Sequence, residues 1–395
     1  MASLPELNIP TSTSTVDVSI INSSGIIHGI NTFLEMSRDV LLIKPIYYQW
    51  RFVEPAIAGH EWLATPCYSF LIRHAGLGRT LVFDLGIKKD WESLPPPLVQ
   101  RFRDSGYTPI VPRHVREILD AGGVDTKSIE AVIWSHWHFD HTGDPSTFEP
   151  ETALVVGPGC KDKIFPGYPE NPSAAFNQVD VAGREIREID FAESGLKIGR
   201  FAAFNYFGDG SFYLLDTPGH AVGHMCGLAR VTTEPDSFIV MGGDAAHHGG
   251  EIRPHPWQPL PASISPNPFT GLSTTPCPGE MFEGILRDGK DQPFYLPAKP
   301  ANAPQVHYDI PEAIESIKKL QEVDAYDNFL IVPAHDETFL HVADLFPKPA
   351  NGFAKKGWAK QVRWAFLKDF AKAVGYEGNV AGKQDFSPIA KPNDI

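Results

Sequence analysis

Apolar and polar positions alternate from Val16 to Ile21, a period of two that predicts a first strand. Two more strands are expected over Cys67 to Ile72 and Thr80 to Asp84. The turn Ala75-Gly76-Leu77-Gly78 between them predicts an antiparallel hairpin. Short apolar runs at Ile129 to Trp134, Phe212 to Leu215, Phe238 to Met241 and Phe329 to Val332 read as further strands. Leu98 to Phe102 and His114 to Leu119 read as short helices, the second stopped by Gly122 and Gly123. Pro311 to Leu320 reads as a helix with Ile314, Ile317 and Leu320 on one face. Trp358, Val362, Phe366 and Phe370 recur at helical spacing, which predicts one amphipathic C-terminal helix over about 355–374, capped by Gly375.

Strands and helices alternate throughout, so residues 1–395 are expected to form a single α/β domain. Two stretches stand apart. Residues 1–15 are rich in Ser and Thr and read as a loose lead-in. Residues 254–304 hold about a dozen prolines and little periodicity, as expected of a lid or other functional insertion.

Composition narrows the function classes. The net charge of −14, with no run of basic residues, argues against a nucleic-acid backbone as partner. No apolar run reaches the roughly 18 residues a membrane helix needs, and no basic-then-apolar leader is evident. Cys67, Cys160, Cys226 and Cys277 are far apart, without a C-x-x-C pair, and read as reduced thiols. The cytoplasm is the default expectation.

The chemistry concentrates after the Ile129 to Trp134 strand, in Ser135-His136-Trp137-His138-Phe139-Asp140-His141. In an extended or turning loop, His136 and His138 point to one side and can grip one ion. Asp140 and His141 lie beyond them and can reach a second. Imidazole and carboxylate suit zinc, iron or manganese. Four ligands are too few for two ions, and others belong at other strand ends. His220, Asp244 and His335 each follow a short apolar strand and a small residue. Asp244 is a carboxylate, whose two oxygens can bridge two cations.

The order His-x-His-x-Asp-His, then Thr-Pro-Gly-His, Gly-Asp and Ala-His-Asp resembles the metallo-β-lactamase superfamily, from about Thr65 to Asp336. The resemblance implies an α/β fold in the form of a four-layer αβ/βα sandwich, with a binuclear site at one edge. It implies one divalent ion on His136, His138 and His220, a second on Asp140, His141 and His335, and Asp244 between them. Zinc is the expected metal, with iron or manganese as alternatives. Asp84 matches the family's early Asp-x-Gly, which orients a ligand imidazole.

Several neighbours need separate weighing. His224 recurs in the family without being a usual ligand, and reads as structural. His247 stands where related lactonases carry a tyrosine that donates to the substrate carbonyl, so His247 or His248 is a candidate for that role. Trp50, Trp137, Phe139, Tyr206 and Trp257 are candidates for an aromatic pocket, with ordinary packing as the simpler reading of each.

The implied activity is hydrolysis by a metal-activated water, with Asp140 orienting the nucleophile and passing a proton toward the leaving group. The ligand set resembles that of lactonases. It differs from the flavodiiron branch, where a glutamate replaces the second histidine, and Cys226 occupies no ligand position. The expected partner is therefore a small molecule with a ring carbonyl: a lactone, lactam or cyclic carbamate. A glyoxalase-II-like thioesterase is the alternative, followed by a mononuclear-iron sulfur dioxygenase and a non-catalytic scaffold.

Overall fold

The computed structural model describes residues 3–23, 51–61, 63, 66–104, 109, 111–300 and 305–382. Two six-stranded sheets form its centre. The first runs, in spatial order, Asp17–Asn22, Tyr68–His74, Arg79–Phe83, Ile129–Ile133, Ala153–Val156 and Ile186–Glu188. The second runs Phe329–Val332, Asp236–Met241, Met225–Thr233, Phe212–Asp216, Phe201–Asn205 and Leu196–Ile198.

Side-chain alternation explains the layering. Phe70, Ile72, Leu81, Phe83, Ile133 and Val155 face inward from the first sheet. They meet Phe212, Leu214, Met225, Ile239, Met241 and Val332 from the second in one core. The residues between them point the other way. Leu71, Val82, Val132 and Leu154 pack under the helix Val115–Ala121 through its Val115 and Leu119. Tyr213, Leu215, Leu228 and Val240 pack under the helix Ile310–Asp324 through its Ile317, Leu320 and Val323. Helix, sheet, sheet and helix make four layers, the αβ/βα sandwich expected above. Strands covered on both faces need apolar residues at both parities, which is why they appear in the chain as unbroken apolar runs.

The hairpin of Tyr68–His74 with Arg79–Phe83 is antiparallel, with Phe70 opposite Phe83. Asp309 caps the long helix by accepting from the Glu312 backbone N–H at 3.0 Å.

Two expectations need correction. The lead-in is not loose. Leu7 is buried in the second sheet's outer core, and the carbonyls of Pro5 and Pro10 accept from Tyr326 and Arg230. The single C-terminal helix is instead three short pieces, Phe353–Lys356, Trp358–Arg363 and the 3₁₀ turn Ala365–Phe370. Trp358 and Val362 pack into the inter-sheet core, while Phe366 and Phe370 pack into a separate one. Two targets for one stripe of aromatics break the helix between them.

That separate core explains the Pro-rich stretch. Its Leu260, Ile264, Phe269, Phe282, Phe294 and Tyr295 bury against the C-terminal Phe366, Leu367 and Phe370. Short pairings, Ser263–Ile264 with Cys277–Pro278 and Leu296–Pro297 with Val53–Glu54, tie it down. Among the described residues no helix is long and apolar enough to cross a membrane.

Candidate metal centre

The chemistry-bearing side chains collect where strands of both sheets end. The loop after Ile129–Ile133 carries His136, His138, Asp140 and His141. The Thr217-Pro218-Gly219-His220 turn follows Phe212–Asp216. Asp244 follows Asp236–Met241, and His335 follows Phe329–Val332. Because the Asp236–Met241 and Phe329–Val332 strands are parallel neighbours, their ends lie side by side.

The Asp244 carboxylate is the centre of the cluster. Imidazole nitrogens of His141 and His335 lie 3.1 Å from its Oδ1. Those of His247, His220 and His136 lie 3.3, 3.4 and 3.8 Å from its Oδ2. His138 Nδ1 is 3.0 Å from His220 Nε2, and Asp140 is 3.5 Å from His335 Nε2. The donors fall into two overlapping groups, His136, His138, His220 and Asp244 in one, His141, Asp244 and His335 in the other. Asp140 joins His335 in a third group together with Cys67.

Surrounding groups fix the orientation of these rings. Asp84 sits at the end of Arg79–Phe83 with φ 58°, a left-handed backbone that Asp tolerates better than most residues. Its carboxylate accepts from the Ser135 backbone N–H at 2.6 Å, the Ser135 hydroxyl at 2.7 Å and His141 Nδ1 at 2.9 Å. His141 therefore carries a proton on Nδ1 and turns its Nε2 toward Asp244. His335 is set the same way, since its Nδ1 donates to the Pro66 carbonyl at 2.7 Å. His224 donates through Nδ1 to the Thr217 carbonyl at 3.0 Å and accepts the Asp244 backbone N–H on Nε2 at 3.0 Å. It positions Asp244 rather than joining the ligands. The glycine before Asp244 is forced: a Cβ on Gly243 would stand 2.8 Å from His224 Nε2, at φ 49°.

The electrostatics follow from burial. Burial drives His136 and His220 well below the ordinary imidazole value and His138 down to about 4. At His141 and His335 burial is again the largest single influence and acts downward, but Asp244 together with Asp84 at His141, and Asp244 together with Cys67 at His335, outweigh it and raise both. Burial also lowers His224 and His307 to about 3. The neutral rings of His136, His138 and His220 thus gather about one carboxylate. His136 Nε2, His141 Nε2 and Asp244 Oδ1 are buried without a hydrogen-bond partner. Buried lone pairs converging on a common point suit divalent cations, and the all-nitrogen-and-oxygen donor set fits two of them.

Six residues of the site line a cavity of about 510 Å³. His138, Asp140, His220, Asp244, His247 and His335 line it on the polar side, and Phe52, Leu63, Leu98, Phe102, Trp137 and Phe139 on the apolar side. No described residue of 254–300 lines it; that wall comes from Arg51 and Phe52 and from Gln305 to Tyr308. His247 and His248 separate cleanly. His247 lines the cavity with neither ring nitrogen hydrogen-bonded, its Nε2 lying 3.3 Å from Asp244 Oδ2, whereas His248 turns to Asp369 at 3.3 Å and accepts the Gly250 N–H on its other nitrogen. Of the aromatic candidates, Trp137 and Phe139 line the cavity. Tyr206 lies beside Arg187 and Glu130, and Trp257 donates to the Ser3 carbonyl. Trp50 falls outside the described residues.

Three residues at the site escaped the sequence reading. Ser135 links Asp84 to the histidine loop. Cys67 places its sulfur within 4.8 Å of Asp140 and His335 donor atoms. His307 follows no strand and belongs to no motif, so nothing in the chain pointed to it.

Comparison with known proteins adds to this geometry. The family model described as the metallo-beta-lactamase superfamily matches residues 62–335. The chain is 44% identical over 373 residues to a gamma-lactamase, FDB1, of Fusarium pseudograminearum, covering 93% of this chain and 85% of that one. It is 40% identical over 377 residues to a cytochrome P450 monooxygenase, mpaDE′, of Penicillium brevicompactum, covering 94% of this chain but 39% of that longer protein. Among solved structures, an N-acyl homoserine lactone hydrolase with its product at the catalytic metal centre superposes with a TM-score of 0.51 at 14% identity, over 85% of this chain and 99% of that one. That last likeness is one of fold.

Proposed function

Because the chain belongs to the metallo-beta-lactamase superfamily, we propose that it is a metal-dependent hydrolase that opens a small ring at its carbonyl. A lactam, a lactone or a cyclic carbamate is the substrate class. The observation that carries this reading is the Asp244 carboxylate, ringed by five imidazoles at 3.1–3.8 Å, on the wall of a largely apolar cavity. The gamma-lactamase relative, alike over nearly the whole chain, supports the ring amide.

His136, His138 and His220 would hold one cation and Asp140, His141 and His335 the other, with Asp244 shared. Zinc suits the donors, and iron or manganese are alternatives. Bound there, a pair of cations supplies an activated water at neutral pH and polarises the carbonyl. The chain's own groups do the rest. Asp140 borders the cavity and holds the proton that passes from water to the leaving nitrogen or oxygen. His247 donates a ring N–H to the carbonyl oxygen as charge builds on it. The apolar walls align the ring and keep bulk water out. Cys160, Cys226 and Cys277 are free thiols, which fits a reducing compartment such as the cytoplasm.

The test is metal analysis beside a panel of lactams, lactones and thioesters. Two divalent ions per chain and chelator-sensitive opening of rings are expected. Asp140→Asn should lower kcat about 10²–10⁴-fold; turnover within a few-fold of the parent would remove Asp140 from the mechanism. The glyoxalase-II-like thioesterase reading has one observation in its favour. Arg51 and Arg101 line the cavity and could anchor an anionic thiol carrier. Preferential hydrolysis of thioesters over rings would establish it instead.

A further inference from the structure

One polar group in the cavity is used by neither the metal ligands nor the proposed chemistry. His307 is 3% exposed and lines the cavity wall. Its Nε2 lies 3.3 Å from the Phe52 carbonyl oxygen, which can only accept, so Nε2 carries the ring proton. In a neutral imidazole that makes Nδ1 an acceptor, and Nδ1 is buried with no partner. The ring centroid is 5.2 Å from that of His247, whose Nε2 lies 3.3 Å from Asp244 Oδ2 and whose Nδ1 is buried without a hydrogen bond. An acceptor and a possible donor thus stand side by side next to the metal ligands.

We propose that His307 selects the ring nitrogen of the substrate: its Nδ1 accepts the N–H of a secondary lactam or cyclic carbamate, while His247 donates to the neighbouring carbonyl. This rests on the ring-opening reading above and narrows it. An amide closed into a small ring is cis, so its C=O and N–H lie along one edge. Open-chain amides are trans and present them on opposite edges. Two adjacent imidazoles, one donating and one accepting, read the cis edge. A lactone puts an oxygen where the N–H would be, and that oxygen faces the Nδ1 lone pair with nothing to donate.

The experiment compares kcat/KM of the metal-loaded parent, His307→Leu and His307→Asn on three matched rings: a γ-lactam with N–H, its N-methyl derivative and the equivalent γ-lactone. His307→Leu should lower kcat/KM on the N–H lactam about 10–100-fold. It should leave the other two within about twofold, a factor of little energetic weight. His307→Asn, whose amide oxygen can replace the acceptor, should recover part of the loss. Equal losses on all three rings, or no loss on the lactam, would overturn the proposal. Calorimetric binding of the N–H and N-methyl lactams to the same proteins gives a readout that does not need turnover. If no ring is opened by any protein, the hydrolase reading fails. The His307 contact then stands only if the parent binds the N–H lactam more tightly and His307→Leu abolishes that preference.

Discussion

Replacing Asp84 by Asn tests how the ligand imidazoles are held, without touching a ligand. The Asp84 carboxylate accepts three hydrogen bonds, from the Ser135 N–H, the Ser135 hydroxyl and His141 Nδ1, at 2.6, 2.7 and 2.9 Å. An amide has one oxygen, so its NH₂ must face at least one of these donors. The Ser135 hydroxyl can rotate away, but the Ser135 backbone N–H and the His141 ring proton cannot both be satisfied in the present arrangement. A lost bond to a charged partner is worth about 1.5–3 kcal/mol, and about 1.4 kcal/mol is a factor of ten in affinity. His141 is then free to rotate or to move its proton to the nitrogen that faces Asp244. Metal affinity should fall about 10–100-fold, measured by competition with a chromophoric chelator. Asn tolerates the positive φ at this position, so backbone strain contributes little. Asp84→Ala adds that strain, about 1–2 kcal/mol, which denaturant unfolding of the metal-free protein would register. A dissociation constant for Asp84→Asn within about twofold of the parent, below 0.5 kcal/mol by the same conversion, would refute the argument that Asp84 sets the His141 tautomer.

The adjacent histidines should behave differently. His247→Leu is expected to lower kcat about 10²–10³-fold, the scale of a carbonyl-polarising contact. His248→Gln, aimed at Asp369, should leave kcat unchanged and cost about 1–3 kcal/mol in unfolding free energy. The reverse pattern in steady-state kinetics would reassign the carbonyl helper. Gly243→Ala places a Cβ 2.8 Å from His224 Nε2 and 2.9 Å from the Ser135 Cβ, at φ 49°. It should therefore cost at least about 1–3 kcal/mol of stability and weaken metal binding, read by thermal unfolding with and without metal. Stability should also depend on pH. Burial holds His224 and His307 near 3 in the fold against 6.5 for the free imidazole. Between those values the unfolded chain binds protons that the folded one does not. Stability is therefore full above the unfolded pKa and falls as pH drops, by up to about 1.4 kcal/mol per pH unit for each imidazole. His307→Leu should remove one proton's share of that slope in urea unfolding between pH 7 and 5; an unchanged slope would show that His307 is protonated in the fold.

What could be read from the chain was local. The strands Phe212–Asp216, Asp236–Met241 and Phe329–Val332 declare themselves because both faces are covered, and two-sided burial leaves no room for polar residues. The spacing of His136, His138, Asp140 and His141 needs only one loop to bring them together, so their proximity follows from bond lengths. The hairpin turn is local as well.

Convergence was decided in three dimensions. The C-terminal aromatics repeat with a helical period, yet two cores compete for them, and the helix breaks where the targets diverge. His247 and His248 are neighbours of the same type, and their rings part because His248 is held by Asp369, the Gly250 N–H and the rings of Tyr295 and Phe366, while His247 lines the cavity. His307 sits on a wall set by how the chain passes Phe52, more than 250 residues away in sequence. Short-range periodicity and spacing are carried by adjacent residues and survive in the sequence. The meeting of distant side chains depends on packing between layers, which the sequence encodes only through the whole fold at once.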